Sequence, residues 1–454
     1  MRRKKLLLIN TVDKRSANDD FFVPTNGLPG FQPIALGIIA ALTPEEWEVE
    51  LIDENFEDFV DTDADLVGIS TYTTSINRAI DISVQLQEKG IKTVVGGKHV
   101  WLYASEIRDD FDVVVKGEAE AVWPQLIADF ENNTLKDFYE GDFINLSDYT
   151  RPRRDIFEKY NYEIATVQFA RGCVNNCHFC AVPVFYKHAY RQRNIDDAIE
   201  ELKETPQKYV FLVDDTIYCD AKSNEKIKQF FHKIAESNIN KRFICAASID
   251  VYEDDEFLKA AKMAGVRVLY IGFESENVDD LKNVNKRMNY KSSASKYSEA
   301  VKKIHNYNMA IMGGFISGFE NDTPEKIKER GKYILNSNID ASTLTILTPL
   351  AETPLFERLK RENRLLHTDF PKDWIYYNAS NYTIDYKQDR QKIMEAFYGS
   401  SLALVNCKTI SKKFFFTILR SRSFVTAKTL LMLVKNFHVG TQHCWLVRKI
   451  IKHK

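Results

Sequence analysis

Short apolar runs alternate with helix-period segments along most of this chain, and that alternation narrows the fold more than any other feature. Leu6–Ile9, Val49–Asp53, Leu66–Ser70, Thr93–Val95 and Val113–Val115 read as strands, with helices over Pro33–Leu42 and Ile76–Lys89. Ile76, Ile80, Val84 and Leu86 fall toward one side of the second helix. From Glu163 the alternation resumes, with strands at Ile164–Phe169, Tyr209–Val213, Phe243–Ala247, Val268–Gly272, Met309–Ile316 and Ser342–Leu347. Strands separated by helices pair in parallel, because a parallel neighbour needs a long crossover. The first set predicts an α/β doubly wound parallel sheet. The second, six strand–helix units, predicts a partial barrel. The expected divisions are a sheet domain over 1–145, a linker over 146–160, a barrel over 161–365 and a mainly helical region over 366–454. The linker holds Pro152 and the charged run Arg151–Asp155.

Ligands on both architectures sit at the carboxyl ends of the strands. In the first set those ends are Asn10, Asp53, Ser70, Thr71, Tyr72, Thr73, Gly96, Gly97, Lys98, His99, Gly117 and Glu118. A backbone without Cβ at Gly96 and Gly97 lets a bulky ligand approach closely. No Gly-x-Gly-x-x-Gly pattern suggests a dinucleotide site. In the second set, the strand Ile164–Phe169 leads into a loop with Cys173, Cys177 and Cys180. Three clustered thiolates can hold a [4Fe–4S] cube with one iron left open. Zinc is the alternative, but it needs a fourth ligand. His178 is too close in the run to fold back easily onto the same metal. Cys219, Cys245, Cys407 and Cys444 are scattered and form no second pair. Asp214 and Asp215 follow the second strand, where an acidic residue either reaches the site or caps a helix.

The spacing of Cys173, Cys177 and Cys180, with the aromatic Phe179 before the last, resembles the radical S-adenosylmethionine (SAM) superfamily. The resemblance implies that these cysteines ligate a [4Fe–4S] cluster. Its open iron would hold the amino and carboxylate groups of SAM, and one electron would cleave SAM to a 5′-deoxyadenosyl radical. Other strand ends match the same family. Val213–Thr216 resembles its second-strand turn, and Ile271–Ser275 the fourth-strand motif whose glutamate approaches SAM. Gly314–Glu320 resembles the fifth-strand glycine turn. Thr348–Pro354 resembles the sixth-strand loop, with Glu352 where a glycine often stands. Contacts to SAM from the Phe179 backbone, Asp215 and Glu274 are implied.

Leu51–Glu54, Val67–Ser70, Val94–His99 and Val115–Glu120 resemble the cobalamin-binding domain that precedes many radical SAM domains. Lys98 replaces a common proline. The resemblance implies cobalamin contacts from Ser70, Thr71, Tyr72, Thr73, Gly96, Gly97, His99, Gly117 and Glu118. The loop Thr11–Asn18 lacks the histidine that ligates cobalt in some relatives. His99 then reads as a loop residue touching the nucleotide tail or solvent rather than as a cobalt ligand. A degenerate module that binds nothing is the alternative for this domain. The absence of any cysteine before Cys173 argues against methylthiotransferases. The implied function is methylation of an unactivated carbon by a cobalamin-dependent radical SAM enzyme. A non-methylating cyclase or oxidoreductase and a non-catalytic sensor are the alternatives. The partners would be a small-molecule substrate, lipid-like ones included, and an electron donor such as flavodoxin or ferredoxin.

Seven cysteines in this pattern point to a reducing cytoplasm rather than a disulfide framework. The basic start followed by Leu6–Ile9 is too short for a signal peptide. No run reaches the roughly 20 apolar residues that span a bilayer. Aromatics between Phe370 and Tyr398 read as core packing or as a substrate pocket. Asp373–Asn378 weakly resembles the tail of the branch that includes hopanoid methylases. Residues 401–454 hold eight Lys and three Arg with no Asp or Glu, a charge of +11 in a chain of net −2. They also carry apolar runs at Phe414–Leu419 and Leu430–Val434. Helices on an anionic membrane surface and a basic cap on the acidic body are the leading readings. No nucleic-acid-binding motif accompanies the charge.

Overall fold

The computed structural model describes residues 2–14, 31–219, 221–291, 294–386 and 388–439. The end of the Thr11–Asn18 loop, Cys444 and the last part of the basic tail lie outside these residues. The chain forms two compact units. One is Met1–Glu163 with His367–Asn378, and the other Ile164–Leu366 with Ala379–Lys454.

The first unit is built on six parallel strands: β1 (Lys5–Asn10), β2 (Glu48–Asp53), β3 (Leu66–Ser70), β4 (Lys92–Gly96), β5 (Val113–Gly117) and β6 (Phe138–Gly141). Their order is β2-β1-β3-β4-β5-β6. Leu6, Leu7, Leu8 and Ile9 are all buried, as an inner strand covered on both faces requires. The order reverses between β1 and β3, which opens a crevice at the carboxyl edge. Residues 146–160, expected as a linker, are instead packed into this unit. Tyr149, Ile156, Phe157 and Tyr160 are buried, and Arg153 N donates to Gly37 O at 2.9 Å.

The second unit has β7 (Ile164–Val167), a short antiparallel ribbon of β8 (Ala170–Gly172) and β9 (Tyr190–Gln192), then β10 (Tyr209–Leu212), β11 (Arg242–Ala247), β12 (Val266–Glu274), β13 (Ala310–Ser317) and β14 (Ala341–Ile346). The large sheet is all parallel in simple chain order, β7-β10-β11-β12-β13-β14. Right-handed crossovers in one direction put the helices on one face and curl the sheet, giving a partial barrel. The helices start on side-chain caps: Asn194, Asp254, Thr323 and Thr353 each accept from backbone N–H groups of the first turn.

Three helices, Arg390–Val405, Cys407–Ser421 and Phe424–Val439, complete this unit. Lys413 Nζ donates to Ser337 O at 2.8 Å and Ile339 O at 2.6 Å, and Thr417 Oγ1 donates to Asp340 Oδ1 at 2.8 Å. Ala427, Leu430 and Leu433 are buried. Among the described residues no helix is long and apolar enough to cross a membrane.

Candidate functional site

In the second unit the turn after β7 is held by two acids at the end of β10. Asp214 Oδ1 accepts from Phe169 N at 2.7 Å and Ala170 N at 2.9 Å. Asp215 Oδ2 accepts from Gly172 N at 2.9 Å. The following helix begins only at Ala221, so the capping alternative for Asp215 fails; both acids brace the entry to the cysteine loop. Burial pushes the Asp214 carboxyl up to about 7, against the pull of its backbone donors. Gly172 has φ +95, and a Cβ there would collide with the Ala189 carbonyl, so the turn requires glycine.

All three loop cysteines are free thiols, with Cys177 buried and Cys173 and Cys180 half-buried. The Cys219 thiol hydrogen-bonds Cys173 and, with help from Asn175, lowers the Cys173 pKa to about 6 despite burial. Cys219 therefore does not stand apart, as its sequence position suggested. Asn175 Nδ2 lies 3.4 Å from Cys173 Sγ. Burial raises Cys177 and takes Cys180 up to about 12, and each of the three thiols feels the Lys286 charge. Lys286 Nζ donates to Glu274 Oε1 at 2.8 Å, with both side chains largely buried. Burial opposes the Lys286 charge, but Glu274, Cys177 and Cys180 outweigh it and raise its pKa. Sequence reasoning missed Lys286, which lies twelve residues past Glu274.

The backbone holds these groups in place. The β12–β13 register shifts between Gly272 and Glu274, and Glu274 has φ +63. This bulge re-aims the glutamate at the end of the strand. His178 N donates to Val284 O at 2.9 Å, and Leu355 N donates to His178 O at 3.0 Å. Asn285 Nδ2 donates to Asn176 O at 2.7 Å. The Phe179 side chain packs on a cluster that includes Val284, Phe319 and Leu355. Behind the β12 and β13 ends, buried Arg330 binds Glu276 at 3.0 Å, Asp280 at 2.8 Å and Asp322 at 2.6 Å. Among the described residues no three His, Cys, Asp or Glu side chains are gathered as for a single metal ion.

In the first unit the carboxyl edge carries a polar network. Thr71 N donates to Gly96 O at 3.0 Å, and the Thr71 hydroxyl lies 3.0 Å from Ser75 Oγ. Thr11 Oγ1 donates to Ser70 O at 3.0 Å across the switch between β1 and β3. Asp53 is committed elsewhere: it accepts from Asn10 at 2.9 Å and from the Tyr162 hydroxyl at 2.6 Å. Glu118 Oε2 accepts from Ile144 N at 2.7 Å and so orders the chain after β6. The two glycines differ. Gly97 has φ +113, and a Cβ there would sit 2.5 Å from Thr71 O, so the fold itself requires glycine there. Gly96 is open: a Cβ added there would find its nearest neighbour, Val115 O, at 3.8 Å. Tyr72 projects from the same edge, 57% exposed.

His99 is not on a solvent-facing loop. It lies in the helix Lys98–Tyr103 and is fully buried. Its Nδ1 is 3.4 Å from Thr73 Oγ1, and its ring meets Tyr103 and Trp374 at 5.2 and 5.6 Å. Burial drops its pKa to about 3, so the imidazole is neutral. Trp374 comes from the segment His367–Asn378 and stacks on Phe370 at 3.8 Å. Trp374 and Tyr377 of this segment are buried core residues, while Phe370 and Tyr376 are half-buried.

Comparison with known proteins decides between the readings of this architecture. Residues 167–334 match the Radical SAM superfamily model and residues 30–127 the B12 binding domain model. The chain belongs to the cobalamin-dependent radical SAM enzymes. The bacteriochlorophyllide d C-8(2)-methyltransferase of Chlorobaculum tepidum is 28% identical over 90% of this chain and 92% of its own length. The hopanoid C-2 methylase of Rhodopseudomonas palustris is 26% identical over 74% of this chain and 66% of its own. The fold is shared with TsrM from Kitasatospora setae (TM-score 0.65, 14% identity, 95% of this chain and 100% of that one). It is also shared with OxsB (TM-score 0.67, 13% identity, 99% and 75%). The cofactors of this radical SAM enzyme are a [4Fe–4S] cluster, SAM and cobalamin. The residues present fit them. Three thiols share one loop with a buried lysine facing them, and the sheet edge at Gly96 leaves the space that a Cβ would fill.

Proposed function

We propose that this enzyme transfers a methyl group to an unactivated carbon of a small, apolar, lipid-like molecule. The observation that carries the reading is the pairing, in one chain, of the three-thiol loop with a B12-binding sheet. The names of its relatives, bacteriochlorophyllide methyltransferases and a hopanoid methylase, support the substrate class. When bound, the cluster with SAM supplies hydrogen abstraction and methylcobalamin supplies the methyl group.

The chain's own residues do the holding. Cys173, Cys177 and Cys180 ligate the cluster, and Asp214 and Asp215 keep their loop in shape. Lys286 and Glu274 offer a cation and a carboxylate beside the thiols, the complement of an amino acid's two charged ends, and they orient SAM with the Phe179 backbone. Ser70, Thr71, Tyr72, Thr73, Gly96 and Gly117 form the cobalamin edge. Gly97, His99 and Glu118 keep that edge in shape. Neutral His99 is enclosed and would offer no ligand to the cobalt of a corrinoid held at this edge. A flavodoxin or ferredoxin delivers the electron. Six free cysteines among the described residues support a reducing, cytoplasmic setting.

The test is anaerobic reconstitution with SAM, reductant and methylcobalamin. Beside 5′-deoxyadenosine, which carries away the abstracted hydrogen, the expected products are S-adenosylhomocysteine and a substrate heavier by one CH₂. SAM cleavage without either product would indicate a cyclase or oxidoreductase, and no cleavage at all a sensor. Iron should reach about four per chain. It should be lost in the Cys173→Ala, Cys177→Ala, Cys180→Ala triple variant, and full retention there would sink the cluster assignment.

A further inference from the structure

The C-terminal helices close the second unit with one face and present a different chemistry on the other. On Cys407–Ser421 the outward residues are Lys408, Lys412, Phe415 and Leu419, spaced three and four apart along one side. Phe415 and Leu419 are 58% and 56% exposed. On Phe424–Val439 the exposed residues up to Val434 are Phe424, Val425, Lys428 and Leu431, with Phe424 62% exposed. The Phe414 and Phe424 rings meet edge-on at 6.3 Å and join the two helices. Five of the twelve large exposed hydrophobics among the described residues fall between 415 and 431. That is a concentration, whereas scattered single apolar residues would need no explanation.

The charge that these two helices themselves carry has one sign. Lys408, Lys412, Arg422 and Lys428 are exposed, and no Asp or Glu occurs from residue 401 onward. A second copy of the chain docking face to face would set cation against cation. Nucleic acid would match the charge but not the exposed Phe, Leu and Val side chains. A surface that is anionic at the headgroups and apolar just beneath matches both. Helices of 15 and 16 residues are too short to span the roughly 30 Å hydrocarbon core, and suit lying in its interface. We propose that the outward face running from Lys408 to Leu431 is a docking surface for an anionic lipid membrane. The inward face caps the barrel at the same time, so the two sequence readings of the tail describe opposite sides of the same helices.

The experiment is flotation of reconstituted full-length holoenzyme with phosphatidylcholine vesicles, with and without phosphatidylglycerol. Binding should favour the anionic vesicles and weaken with salt, since screening shortens to about 8 Å at physiological ionic strength. Lys408→Gln, Lys412→Gln and Lys428→Gln should each lower partitioning roughly fivefold. Phe415→Ser, Leu419→Ser and Val425→Ser together should remove the salt-resistant remainder. These positions are exposed, so unchanged melting temperatures should accompany the losses. Negligible binding of the unmodified protein to both vesicles would overturn the proposal. So would undiminished binding of the triple Ser variant. Self-association that the triple Ser variant abolishes, without vesicle binding by the unmodified protein, would instead assign the face to a second copy.

Discussion

Two adjacent glycines at the end of β4 look equivalent in sequence and are not. Gly97→Ala forces a Cβ against Thr71 O from a backbone angle that L residues rarely adopt. It should cost the first unit about 2 kcal/mol or more in denaturant melts. Gly96→Val should leave the melt nearly unchanged and lower the corrinoid retained on purification. Equal destabilisation by both would refute this division of labour. His99 makes a pH prediction. Its folded pKa of about 3 lies below its ordinary 6.5. Between those values the unfolded chain binds a proton that the folded chain does not. Stability is therefore present above pH 6.5 and falls as pH drops toward 3, by up to about 1.4 kcal/mol per unit. His99→Gln should flatten that slope in melts between pH 7 and 5. Both glycines and the histidine were visible as residues at a strand end. Their division into fold and ligand roles was not, because it depends on what the Thr71 backbone and Trp374 do beside them.

At the scale of elements, the regular strands were legible because a buried parallel strand is a continuous apolar run, as in Leu6–Ile9 and Ala310–Ile316. The irregular pieces were not. β6 is four residues with Glu140 exposed, too short for a pattern. The β8–β9 ribbon interrupts the expected barrel order, and its turn depends on Asp214 and Asp215 from a distant strand end. The three cysteines were legible as one loop, since their signal is local spacing. Lys286 was hidden, since only the β12 bulge brings Glu274 to it. Behind these ends Arg330 holds three carboxylates that come from the segments after β12 and β13. Arg330→Met would take the counter-charge from buried Asp280 and Asp322 and should destabilise the second unit by about 3–5 kcal/mol. Calorimetry that finds a change under about 1 kcal/mol would show that the carboxylates relax by taking up protons or water.

Over the whole molecule, the basic tail reads as an appendage in sequence but is part of the second unit. Asp340 accepts from Thr417 on the tail, and its other oxygen accepts from Ile311 N at 2.9 Å. Thr417→Val should cost about 1.5–3 kcal/mol by removing a donor to a buried charge, read as a lowered unfolding midpoint in urea. Removing everything after Ser400 should be worse, so the lipid test needs point changes on the outer face rather than truncation. Domain boundaries were the least legible feature, because a unit is defined by which segments pack together and not by which are adjacent. The segment His367–Asn378 is the clearest case. It supplies Trp374, fully buried, to a unit whose other residues all precede Ile164. On the ribosome, then, the B12-binding unit must wait for its last buried tryptophan while about 200 further residues are made. At 5–20 residues per second that interval is roughly 10–40 s. A nascent chain halted before His367 should be unable to finish the unit that was begun first.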